Sequence, residues 1–269
     1  MTQSDIYEYL LNKDIQLQKK LLLVCKNDKD AEKTADTATL LNYKTFTLPD
    51  LRLSAGDDLR SFQVELYELL EELHGYYEEE GKKLLISPLR TLLLPLPKEE
   101  FFPTLEIEFA STLKLAELKD KLYYWGYHFV DIVTQKGEVS FRGDIVDIYS
   151  LGDDEAYRIS LFDEDVESIR VFSVETQKSE KEEIESIKVI PAQLGLNQEQ
   201  YEALDKRVKV SSLDSFVKDI DSLGFWYLNE LGENYLQTFD ALLVDDISDE
   251  LEEIYSLDDP LIDEADFRL

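Results

Sequence analysis

Between Gly137 and Phe172 apolar residues recur at every second position in several short runs, GEVSFRGDIVDIYSLGDDEAYRISLFDEDVESIRVF. Turn residues at Gly143-Asp144 and Gly152-Asp153-Asp154 separate the runs, a pattern that predicts an antiparallel meander. Alternation puts Tyr157, Ile159 and Leu161 on one face and Arg158, Ser160 and Phe162 on the other. By the same rule Val139 and Phe141 turn inward, and Arg142 turns outward with Ser140. Arginines and an aromatic on the polar face are the residue types that dominate protein-binding hot spots. The alternative is that both arginines pair with neighbours among Asp153, Asp154, Glu155, Asp163 and Glu164, and that another segment covers Phe162.

Outside this stretch the pattern changes period. Residues 1–19 suit a short amphipathic helix, with Ile6, Tyr9, Leu10 and Ile15 on one side. Leu21 to Cys25 is a continuous apolar run of the kind buried on both faces, followed by a helix over 29–41 and a strand over 43–48. A long helix over 57–80 carries Phe62, Leu66, Leu69, Leu70 and Leu73 as its stripe, with a strand at 84–86 and Ser87-Pro88 as cap and first position of another helix. Alternating strands and helices predict a parallel sheet with covering helices. Pro95, Pro97 and Pro103 then mark a boundary. Beyond them come a strand over 105–109, a helix over 113–125 and the meander, which Ile187 to Ile190 closes before Pro191. Helices return over 197–205 and 213–222, and an apolar strand at 241–244. The expected fold is α/β, with an antiparallel β-rich domain (104–192) inserted between two parts of a parallel layer (1–103 and 193–269).

Composition narrows the partners. Across 269 residues, 59 acidic side chains face 28 basic ones, a net charge of −31, which disfavours a nonspecific grip on nucleic acid or on anionic membranes. Proteins with basic surfaces suit it better. No run approaches the ~18 apolar residues of a membrane span, and the N-terminus lacks a signal pattern, so a cytoplasmic chain is expected. Cys25 lies in an apolar run, as a small core residue would.

The expected cofactor set is none. The only Gly-Lys pair, Gly81-Lys82, is followed by Lys83, and Tyr76 occupies the upstream glycine position that a phosphate loop needs. His74, His128 and Cys25 are too dispersed for zinc, and His74 reads as a surface residue. The acidic runs at 78–80 and 180–183 read as solvated faces. Leu242-Leu243-Val244-Asp245-Asp246 has the form of the strand and acidic pair that hold Mg²⁺ in nucleotide-hydrolysing motors, although without a phosphate loop Asp245 and Asp246 have nothing to act on. An ordinary strand end explains it equally well.

Gly126 to Ser150, Tyr157 to Ser179 and the closing Val-Ile-Pro-Ala-Gln (189–193) resemble the module shared by the excision-repair helicase UvrB and the Mfd family of transcription-repair coupling factors. The resemblance rests on a GY start, the Arg142-Gly143 strand, the Arg158-to-Phe162 strand, the Ser168-Ile169-Arg170 strand, a TQKS turn and a Pro-Ala end, in that order. Absence of a phosphate loop and of a DNA-clamping hairpin favours the N-terminal region of the coupling factors over UvrB. The resemblance implies a degenerate, helicase-like parallel layer with its nucleotide site decayed and no catalysis of its own. It also implies an inserted domain that binds the repair ATPase UvrA through Arg142, Arg158 and Phe162. In that family RNA polymerase and duplex DNA engage other domains, beyond this sequence; direct nucleic-acid or membrane binding is not expected here. A fragment of a UvrB-like helicase, or an acidic interaction domain of other specificity, is the alternative.

Overall fold

The computed structural model describes residues 2–52, 59–93, 96–210, 232–233, 241–244 and 246–256. Along the chain run α1 (Gln3–Leu11), α2 (Lys13–Gln16), β1 (Leu21–Cys25), α3 (Asp28–Thr39), β2 (Lys44–Thr47), α4 (Gln63–Glu78), β3 (Lys83–Pro88) and β4 (Leu96–Pro97). They are followed by β5 (Leu105–Glu108), α5 (Leu115–Tyr124), β6 (His128–Phe129), β7 (Glu138–Arg142), β8 (Ile145–Tyr149), β9 (Ala156–Phe162), β10 (Asp165–Phe172) and β11 (Ser186–Val189). Last come α6 (Gln198–Val210), β12 (Gly232–Glu233), β13 (Ala241–Val244) and α7 (Ser248–Ser256). The chain divides into two compact units, one of residues 1–98 with 204–269 and the other of residues 99–203.

The first unit holds a four-stranded sheet in the order β13-β1-β3-β2, in which every pair is parallel. All five residues of β1 are buried, as a central parallel strand requires. Leu21, Leu23, Cys25, Leu84 and Ile86 pack with Ile6, Leu10, Ala31 and Ala38 from α1 and α3. The helix expected over 1–19 is two helices, because Asn12 ends α1 and its side-chain oxygen accepts the Asp14 N–H at 2.9 Å to start α2. Ser87-Pro88 does not open a helix: both residues extend β3, paired with Val24 and Cys25. His74 is buried on α4, four residues after Leu70 and so within the apolar stripe, and is not the surface residue expected. Strand β2 lies at the sheet edge, where the Thr47 N–H donates to Glu72 Oε2 of α4 at 2.8 Å. That bond occupies a half-buried edge donor that no described strand pairs.

The second unit holds a five-stranded sheet, β10-β9-β8-β7-β6. Strands β7 to β10 form the antiparallel meander, whereas β6 joins β7 in parallel. Ile187 does not close this sheet; β11 pairs with β5 in a separate two-stranded sheet. On one face Leu118, Leu122 and Trp125 bury Val139, Val146, Ile148, Ile159 and Ile169. Among the described residues the opposite face is covered at one end, where Val133, Ala156 and Phe172 form a small second core. Ser140, expected to point outward to solvent, is buried on that face and donates to the Asp131 carbonyl at 3.0 Å. Gly143, the first central residue of the β7–β8 turn, has φ +63° and fixes the pairing of Arg142 with Ile145.

Two expectations concern this scaffold. An added Cβ at Gly143 meets nothing within 4 Å, so Gly143→Ala carries only the left-handed backbone cost, and chemical denaturation should show a loss of about 1–2 kcal/mol. Burial pushes the Glu72 carboxyl up, neighbouring Glu71 and Glu68 push the same way, and the Thr47 bond opposes them. The folded chain therefore holds this proton more tightly than the unfolded one, and Glu72 makes stability fall as pH rises from the ordinary carboxylate range through its raised folded value. Glu72→Gln keeps an acceptor for Thr47 without the charge, and should unfold at a temperature equal or higher at pH 7, with the gap closing in acid. Glu72→Ala should lose about 1–3 kcal/mol, as the Thr47 N–H is left without its partner.

Candidate functional site

Strand register assembles the residues of interest on the sheet face away from α5. One row across the sheet reads Ser140, Asp147, Arg158 and Arg170, one residue per strand. The next row reads Arg142, Ile145, Ser160 and Ser168, and the one beyond it Phe162 and Asp165. The covered end of this face lies toward Phe172, and its open end lies at the turns after Arg142 and Phe162.

At the junction of the first two rows sits Asp147, with only 1% of its side chain exposed. Arg158 clasps it with both prongs of its guanidinium, Nε to Oδ1 at 2.6 Å and Nη2 to Oδ2 at 2.8 Å. Arg142 Nη2 donates to the same Oδ2. The Arg158 side chain is 19% exposed, and its Nη1 also donates to the Gln177 carbonyl at 3.3 Å and Ser179 Oγ at 3.2 Å. Its guanidinium lies 5.0 Å from the centre of the Phe172 ring, a cation–π contact. The hydrogen bond to Asp147 raises the pKa of Arg158, against the effect of burial. Arg142, by contrast, is 45% exposed, and Asp147 is its partner among the described residues. Phe162 is 75% exposed, so none of the described segments covers it.

The structure thus brings Arg142 and Arg158 together through one buried carboxylate and sets Phe162 on the same face, beyond them. The alternative pairings with turn acids do not occur: Asp153 accepts instead from the Tyr157 hydroxyl at 2.6 Å. Asp147 was missed by sequence reasoning. A two-residue turn that pairs Arg142 with Ile145 puts Asp147 diagonally across the strands from Arg142, and an acid inside the apolar run of β8 was the available signal.

Phosphates bind free N–H groups at a helix N-terminus. At the start of α3 the Asn27 side chain accepts the Asp30 N–H at 3.1 Å, and the first turn bears Asp28 and Asp30. Asp28 Oδ1 accepts the Asp50 N–H at 3.1 Å, while burial and then the charge of Asp50 push its carboxyl up. A phosphate there would meet carboxylates in place of donors. Strand β13 lies beside β1, and Asp246 follows it, bonded to Ser248 Oγ at 3.0 Å; Asp245 lies outside the described residues. Among the described residues no group of three or more His, Cys, Asp or Glu side chains could hold a metal ion, and no helix is long and apolar enough to cross a membrane.

Comparison with known proteins places these features. Residues 105–194 match the UvrB interaction domain family. Over 273 aligned residues, covering 100% of this chain and 27% of the relative, the sequence is 37% identical to the transcription-repair-coupling factor of Helicobacter pylori strain J99. The counterpart in H. pylori strain 26695 is 38% identical over 96% of the chain and 26% of its own length. That of Escherichia coli K12 is 32% identical over 54% of the chain and 12% of its own length. The chain spans about a quarter of the length of the H. pylori relatives. It is a relative of the N-terminal region of the transcription-repair-coupling factors, and its residues 105–194 carry a UvrB interaction domain.

Proposed function

We propose that this chain is a non-catalytic interaction module that binds UvrA, the damage-recognition ATPase of excision repair, and so brings repair to stalled RNA polymerase. Its UvrA-binding part is an inserted domain of about residues 104–192, and the flanking parts (1–103 and 193–269) form a helicase-like layer whose nucleotide site has decayed. The observation that carries this reading is the 75%-exposed Phe162 on the same open sheet face as the half-exposed Arg142. A large aromatic ring left in water on the same sheet face as an exposed guanidinium has the composition of a hot spot. The similarity to coupling factors supplies the partner: RNA polymerase and duplex DNA would engage regions outside this sequence, in the cytoplasm. Asp28, Asp30 and the Asn27 cap at α3 support the absence of a nucleotide site.

Titration of purified UvrA into the intact chain tests the proposal. Binding should be retained in part at high salt, since an aromatic anchor is not screened, whereas an acidic mimic of nucleic acid would lose nearly all affinity. Phe162→Ala and Arg142→Ala should each weaken binding by roughly thirtyfold, about 2 kcal/mol, with unfolding temperatures changed little. Intact binding with a lowered unfolding temperature would make both residues structural. Calorimetry with MgATP should show no heat of binding to the chain alone, and micromolar affinity would remove the decayed-site reading.

A further inference from the structure

We infer that Arg142 alone presents its guanidinium to the partner, that Arg158 and Asp147 are positioning residues, and that the partner supplies a carboxylate beside an apolar recess for Phe162. This rests on the UvrA-binding reading and assigns the roles within that face. The inference follows from counting donors. A guanidinium has five N–H groups. Arg158 commits four of them: one to Asp147 Oδ1, one to Asp147 Oδ2, one to the Gln177 carbonyl and one to Ser179 Oγ. It is mostly buried and stacked on Phe172, so a partner reaching it would have to dismantle the sheet face. Arg142 commits one, to Asp147, and keeps its remaining donors on a half-exposed side chain.

Charge leads to the same assignment and also identifies the partner's group. Asp147 is one buried negative charge held by two positive ones, so the cluster carries a net charge of +1. Arg158 and Asp147 neutralise each other through a two-pronged clasp, which leaves the surplus on Arg142. The surplus sits one row and two strands from Phe162, on the same face. A carboxylate on the partner would balance the cluster at two positive and two negative charges, while the Phe162 ring, exposed alongside, fills an apolar hollow. A phosphate chain fits poorly, because Asp144, Asp163, Glu164 and Asp165 are all exposed around these turns.

The experiment is a set of single and double substitutions in the intact chain, read by affinity for purified UvrA and by thermal unfolding. Arg142→Ala should cost roughly thirtyfold in affinity and lower the unfolding temperature only slightly, because Asp147 keeps the two-pronged clasp of Arg158, whereas Arg158→Ala should lower that temperature by roughly 5–10 °C, having left Asp147 underpaired. Affinity is to be measured well below the unfolding of every variant. In the Arg142→Ala background Arg158→Ala should cause no further loss of affinity, because Arg158 acts through Arg142. Losses that add would make Arg158 a direct contact and overturn the assignment. For the partner's group, Arg142→Lys should bind better than Arg142→Gln, and equal or better binding by the glutamine variant would indicate a neutral carbonyl and remove the carboxylate. Failure of the unsubstituted chain to bind UvrA would remove both the functional reading and this one. Binding that neither Arg142→Ala nor Phe162→Ala weakens would move the interface to another face.

Discussion

A carboxylate excluded from water is costly unless its oxygens are satisfied, and in the second unit Asp147 meets that requirement with two guanidinium groups. Its two oxygens accept from strands on both sides of β8, Arg142 from β7 and Arg158 from β9, so a single charge ties three strands in one register. A slip of one residue in β8 would turn Asp147 into the apolar face under α5, at a cost that no other contact could offset. Arg158 extends the tie further, since its remaining donors hold Gln177 and Ser179 of the segment that covers the far end of the face. The polar cluster therefore specifies alignment, while Val139, Val146, Ile148 and Ile159 on the other face provide the apolar burial.

The first unit depends on different physics. Its parallel sheet is held by burial on both faces, with β1 wholly inside, and nothing in that burial requires a ligand. Carboxylates at the entry to α3 satisfy or repel where phosphate oxygens would otherwise bind, and the Asn27 cap completes the helix end from the chain's own side chains. The core of this layer is made of its own apolar strands and helices, so its folding needs no bound group.

How much of this was legible in the sequence depended on range. Alternation within β9 placed Phe162 and Arg158 on one face without any knowledge of the neighbouring strands, and the exposure of Phe162 agrees with that. Asp147 was hidden because its partners lie across strand pairs, and single-strand periodicity contains no such information. The strand order β13-β1-β3-β2 is of the same kind: β13 reaches β1 from more than 200 residues away, and only packing decides where it sits. His74 misled for a local reason. A histidine beside Leu73 on a helix reads as a polar surface residue, yet the angle of its position on α4 faces the core. Ser87-Pro88 misled through its residue types, which suit a helix start, while ladder pairing with β1 prolonged the strand instead.

Charge acts on two length scales here, and they select different features of a partner. At distances beyond the Debye length of ~8 Å the chain presents its net −31, which repels nucleic acid and favours proteins whose surfaces are basic overall. Within contact distance the field is local, and the cluster of Arg142, Arg158 and Asp147 is positive by one charge. Long-range attraction governs the rate of encounter and weakens with salt, while desolvated short-range contacts govern the rate of departure. A basic surface that carries one carboxylate beside an apolar hollow satisfies both conditions. A polyanion fails the first, and a uniformly basic surface offers no carboxylate to the half-exposed Arg142. The net charge of the whole chain and the local charge of one sheet face thus differ in sign, and a partner that suits both is a protein and not a polyanion.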